Sequence, residues 1–169
     1  MQPPSSADDF EERKKTLLQP VLFEAGAALL DCQGFEFGVA LLLFHFSRLG
    51  ARGLEPEKVS LILDDKEKKT AGQLVAMLKK HVTVSEGIEA ALEGALRARN
   101  YLVHRVLIDN VEKLEREETR AALVQEIRKR RAEVRKAHEK LGPFIMGFSA
   151  ALDGLDQKQM ERELRERLS

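Results

Sequence analysis

The sequence predicts an all-α protein, an up-and-down helical bundle of about five to six helices. Three observations carry that expectation. Ala, Leu, Glu, Lys and Arg are abundant, aromatic residues make up only 5% of the chain with no Trp, and apolar residues recur at helical rather than alternating spacing. At 169 residues, 43% hydrophobic and 33% charged, the chain has one domain's worth of core. Residues 9–169 are therefore expected to form a single domain behind a disordered tail, residues 1–8, which carries Pro3, Pro4, Ser5 and Ser6.

Residues 8–19 read as a charged helical start, and Pro20 marks a boundary or first turn, where proline is tolerated. Residues 21–30 continue as helix. Gly34 kinks or joins this segment to residues 35–49, which are apolar nearly all round, end at Gly50 and should be the most buried element. Residues 51–56 form a turn region. The short run Val59-Ser60-Leu61-Ile62-Leu63 fits a helical turn or an extended piece, with helix preferred.

Thr70 caps an amphipathic helix that runs to His81, with Leu74, Val75, Met77 and Leu78 on one side and Lys79 and Lys80 at the favourable C-terminal end. Ser85 opens the next helix. Its apolar positions Ile88, Ala91, Leu92, Ala95, Leu96, Leu102, Val103 and Leu107 keep the helical period, and a break is expected at residues 107–110. A long surface helix follows over residues 118–141, stopping at Gly142-Pro143. Residues 144–152 form a second apolar segment, and residues 156–168 a final amphipathic helix. Met160, Leu164 and Leu168 give that last helix a stripe for docking on the body or on a second subunit.

Formal charge balances at 28 basic against 28 acidic residues, so the whole-chain field argues for neither nucleic acid nor an anionic membrane. Residues 1–8 lack a basic region followed by an apolar run, so they do not read as a secretory signal. The apolar run of residues 38–46 is interrupted by His45 and falls short of the ~20 residues of a membrane span. A cytoplasmic protein without a membrane partner is expected. The lone Cys32 excludes an intrachain disulfide and suits a reducing compartment.

Chemistry concentrates in one hexapeptide, Arg99-Asn100-Tyr101-Leu102-Val103-His104, on the helix opened by Ser85. Asn100 and His104 are i,i+4 neighbours on one face, so the amide can orient the imidazole or share a ligand. Arg99 lies about 140° around from His104, so the two converge only through the long Arg stem, a local distortion or a symmetric partner helix. A guanidinium offers a forked, permanently charged donor and an imidazole moves protons near neutral pH, which together suit one phosphate. The competing reading makes both ordinary surface residues paired with acids such as Glu93 or Asp109.

Two further readings are bland. His45 on an apolar helix fits a buried histidine satisfied by a neighbour, while His81 and His138 read as exposed. Residues 126–140 carry seven positive against three negative side chains, so Arg128, Arg131 and Arg135, with Arg105, are candidate RNA contacts. Without an interleaved aromatic, a solvated helix face is the stronger alternative. No His and carboxylate residues cluster at metal-ligand spacing; Asp64-Asp65 resembles a loop, and no Gly-rich phosphate loop or nucleophile elbow occurs. Neither metal nor cofactor is expected.

The segments "GQLVAMLKKH" at residues 72–81 and "LRARNYLVHRVL" at residues 96–107, with Arg99, Asn100 and His104 in the pattern Arg, polar, then His, resemble the HEPN superfamily. These are all-helical domains of bacterial defence and toxin systems. The resemblance covers residues 23–140. It implies a metal-independent endoribonuclease acting on single-stranded RNA, with His104 as general base or acid, Arg99 stabilising charge on phosphorus and Asn100 positioning them. It further implies a homodimer with a composite cleft, a 2′,3′-cyclic phosphate product and an antitoxin or other partner protein. One departure concerns Val106, which stands where toxins paired with nucleotidyltransferase antitoxins commonly carry Tyr. Some proteins of this fold are non-catalytic modules that bind a partner protein or nucleotide.

Overall fold

A computed structural model describes residues 7–64 and 66–168. The described chain is all-helical, as expected: α1 spans Ala7–Arg48, α2 Pro56–Leu63, α3 Ala71–His81, α4 Glu86–His104 and α5 Glu117–Leu168, with a 3-10 turn at Val111–Leu114 before α5. The long helices α1 and α5 pack along each other, α4 lies mainly against α5, and α2 and α3 close the side of α1.

Three expected boundaries fail. Helix α1 continues through Pro20 and Gly34, and α5 continues through Gly142 and Pro143. Buried or half-buried Val134, Ala137, Leu141, Ile145 and Phe148 keep a three-four spacing across Pro143. Burying that unbroken apolar stripe outweighs the one backbone hydrogen bond that proline removes. On α1 the packed stripe begins just past Pro20, at Val21, and runs through Ala28, Cys32, Phe35, Val39, Leu42 and Leu43. Gly34 and Gly38 mark the closest approach rather than a joint: a Cβ on Gly38 would meet the His138 ring at 3.3 Å.

Local signals are followed elsewhere. The Thr70 hydroxyl accepts from the Gln73 backbone N–H at 3.2 Å while the Gln73 side chain accepts from the Thr70 N–H at 2.9 Å, a capping box that fixes the start of α3. Gly50 ends the α1 turn at φ +83°, where a side chain would be strained. The short apolar run resolves as helix α2. Ala7 and Asp8 already belong to α1, while the rest of the tail lies outside the described residues, as do Asp65 and the side chains of Met160, Leu164 and Leu168.

By length and composition one stretch of α1, Lys14–Arg48, could cross a membrane, which corrects the expectation drawn from residues 38–46 alone. Within the bundle 44% of its most apolar window is buried. All three acids on its apolar half, Glu24, Asp31 and Glu36, are ion-paired with arginines of α4 and α5, so this face serves helix packing.

Candidate functional site

The last two turns of α4 are held from below by Leu92, Ala95, Ala98 and Leu102, all buried at helical spacing. Arg99 leaves the helix beside Ala98, and its stem runs over the core with the side chain only 16% exposed. Its Nε donates to Glu36 Oε1 of α1 at 2.6 Å. Its Nη1 reaches two neutral acceptors, Asn100 Oδ1 at 3.3 Å and His104 Nε2 at 3.0 Å.

The pair therefore meets within one chain, by the first of the three open routes. Five residues of helix separate the Cα atoms by about 7.5 Å of rise, within the reach of an extended arginine stem. His104 is the last residue of α4, and a helical side chain leans toward the helix N-terminus, which carries its ring back toward Arg99. A guanidinium can only donate, so in this arrangement Nε2 of His104 is the unprotonated, basic nitrogen. The bond that Asn100 makes goes to Arg99, not to the imidazole, so the amide orients the guanidinium.

Glu36 is the residue that sequence reasoning missed. Its signal was available: an acid in a nearly continuous apolar run needs a partner, because an unpaired charge there is costly. The acids proposed instead are engaged elsewhere. Glu93 faces Lys79 at 3.5 Å and Arg97 at 4.0 Å, and Asp109 accepts from Arg105 Nε at 2.9 and 3.0 Å.

The end of α4 is fixed just behind the site. The chain leaves the helix at Arg105, and the buried Asn110 side chain ties the loop by donating to the Val106 carbonyl at 2.8 Å and to the Tyr101 hydroxyl at 2.9 Å. Arg130 of α5 stacks over the Tyr101 ring, 5.4 Å from its centroid. Burial pushes the Tyr101 phenol above its ordinary range, with a contribution from Glu126, so it stays a neutral anchor. Burial also pushes the Cys32 thiol up to about 11, which leaves no thiolate near the site at neutral pH.

The basic residues do not gather at this site. Arg128 donates to Glu24 at 2.7 Å, and Arg131 bridges Glu24 at 3.1 Å and Asp31. Glu24 and Asp31 lie about 120–140° around α1 from Glu36. Arg105 pairs with Asp109 and Arg135 faces Glu139 at 3.8 Å, so all four candidate RNA contacts already have carboxylate partners.

Three histidines differ from expectation. His81 is half-buried rather than exposed, its ring beside Gly53. His138 is half-buried rather than exposed, its ring against Gly34 and Gly38 and its Nδ1 without a hydrogen-bond partner among the described residues. His45 is buried as expected but only half satisfied: Nε2 lies 3.3 Å from the Ser149 hydroxyl while Nδ1 has no partner among the described residues. Burial lowers its pKa. Among the described residues no three His, Cys, Asp or Glu side chains converge to hold a metal ion.

Compared with protein-family models, curated proteins and solved structures, the chain matches none.

Proposed function

We propose that the chain is a metal-independent endoribonuclease of the HEPN type, acting on single-stranded RNA through Arg99, His104 and Asn100. The observation that carries the reading is the 3.0 Å approach of the Arg99 guanidinium to the basic nitrogen of an exposed imidazole. A phosphate entering between them would take the Nη1 edge of Arg99, which faces only neutral acceptors, and free His104 Nε2 to act on the adjacent ribose. His104 then removes the proton of the 2′-hydroxyl, the 2′-oxygen bonds to phosphorus, and the 5′-oxygen leaves and takes up a proton. The products are a 2′,3′-cyclic phosphate and a 5′-hydroxyl.

Arg99 stabilises the charge that grows on the non-bridging oxygens, and Asn100 and Glu36 fix where its fork points. A cytoplasmic toxin or defence role accompanies this reading.

The test is cleavage of single-stranded RNA in EDTA. Wild type should cut, and His104→Ala and Arg99→Ala should each lose at least ~100-fold in rate with unchanged helicity. Unchanged activity in both variants would sink the reading. The second reading, a non-catalytic helical module that binds a partner protein or nucleotide, is favoured by Glu36, which offsets the Arg99 charge. It expects no cleavage by the wild type.

A further inference from the structure

Glu36 borders two spaces. Toward α4 its Oε1 takes the Arg99 Nε at 2.6 Å, and toward α2 and α3 its side chain lines a cavity of about 220 Å³. The Oε2 oxygen has no hydrogen-bond partner among the described residues, and the side chain is 25% exposed. One carboxylate therefore separates this cavity from the Arg99 guanidinium.

The cavity combines three kinds of group. Ala40 and Leu74, both buried, lie at its base, and the Phe37 side chain beside them is 56% exposed. Lys68 and Lys69 bring two cations to it from the segment between α2 and α3. Lys69 pairs with Glu67 at 2.7 Å, while Lys68 meets no acid among the described residues. An aromatic face, a cation and a free acceptor are what hold one base of a single strand: the ring stacks on it, the ammonium meets a neighbouring phosphate and the acceptor reads an edge. The size agrees, since about 220 Å³ lies below the ~300 Å³ at which pockets for drug-sized ligands begin, room for one base rather than a whole nucleotide. The aromatic that the basic run of residues 126–140 lacks thus stands on α1, beside lysines from another segment.

The carboxylate also selects the base, because it can only accept hydrogen bonds. Guanine presents two adjacent donors, its ring N–H and its amino group, on its pairing edge. Adenine and cytosine set a ring-nitrogen acceptor beside their amino group, and uracil flanks its one N–H with two carbonyls, so each turns lone pairs toward Glu36. We infer that the cavity is a guanine-binding subsite formed by Phe37, Glu36 and Lys68. The inference rests on the ribonuclease reading for the phosphate at Arg99 and His104, and it gives that reading a sequence preference.

Calorimetric titration of the full chain should show guanosine 3′-monophosphate binding at least ~5-fold tighter than uridine 3′-monophosphate. Phe37→Leu keeps the apolar bulk at an exposed position but loses the ring, so guanosine binding should weaken at least ~5-fold with unchanged helicity, and Phe37→Tyr should restore it. Glu36→Gln should bring the ratio of the two affinities close to one. Lys68→Ala should weaken both nucleotides alike, because a phosphate contact carries no base information. In an oligouridine strand carrying one guanosine, cuts should concentrate beside the guanosine. Even cuts along that strand, with no preference between the nucleotides, overturn the subsite and leave the ribonuclease standing. Guanosine-selective binding that Phe37→Leu weakens, without any cuts, supports the subsite and removes the ribonuclease. Equal binding of the two nucleotides, or guanosine binding that Phe37→Leu leaves unchanged, overturns the proposal.

Discussion

Helix α1 presents acids to arginines in two clusters, and the outcomes differ. Arg131 meets two carboxylates: its Nε bonds Asp31 and its Nη1 bonds Glu24, with Arg128 also on Glu24. Asp31 first and Glu24 second raise the Arg131 pKa, and the hydrogen bond from Arg128, reinforced by Arg131, holds the Glu24 carboxyl low against the effect of burial. Arg99 has a carboxylate on Nε alone, while its Nη1 edge faces an imidazole and an amide. One cluster ties α5 to α1. The other holds a guanidinium by one carboxylate on Nε and leaves its Nη1 edge on an imidazole and an amide, the feature on which the proposed ribonuclease reading rests.

The contrast breaks most visibly with lysine at both positions. Arg99→Lys keeps the charge but loses the fork, so RNA cleavage should fall at least ~100-fold, whereas Arg131→Lys should leave kcat/KM unchanged; equal effects would erase the distinction. Next in size is Glu24→Ala. It strands two arginines against α1 and should lower the unfolding free energy by about 1–3 kcal/mol without touching cleavage, as read by denaturant titration.

Glu36→Gln should do the reverse on a smaller scale. The guanidinium stays but its aim loosens, so kcat/KM should drop about 10-fold, with the melting temperature moving only a few degrees. A large loss of stability with intact activity would make Glu36 another packing acid.

The smallest effect concerns pH. His45 is buried between α1 and α5 with its pKa lowered from 6.5 by desolvation, so the unfolded chain binds the proton more readily than the folded one. Stability should be complete above pH 6.5 and fall as the pH drops below it toward the folded pKa. His45→Gln should flatten that dependence in melting curves between pH 5 and 8. Glu24 adds a separate loss only below 4.5, because its carboxyl is held low in the fold.

Much of the fold was legible because its signals are local. Thr70 and Gln73 form their capping box within one turn, Gly50 stops α1 within one residue, and the buried spacing of Leu92, Ala95, Ala98 and Leu102 is the period of α4 itself. Pro143 misled because packing against a second long helix, which no local window contains, outweighs its cost, whereas Pro20 lies ahead of the packed stripe and α1 simply runs through it. The site divides the same way. Arg99, Asn100 and His104 are neighbours in sequence and were readable there, but Glu36 lies 63 residues from Arg99, and nothing local says which arginine an acid on an apolar helix will meet. For the same reason the basic run at Arg128 and Arg131 read as a candidate RNA surface, although its partners are acids about 100 residues away.

The proposed ribonuclease reading requires Arg99 and His104 to act on one phosphate within one chain. The direct test assays single-stranded RNA cleavage in EDTA by wild type, Arg99→Ala, His104→Ala and an equimolar mixture of the two variants refolded together. The wild type should cleave and leave 2′,3′-cyclic phosphate ends, and each variant and the mixture should be silent. An inactive wild type, or a mixture that regains activity by assembling one intact site across two chains, would contradict it.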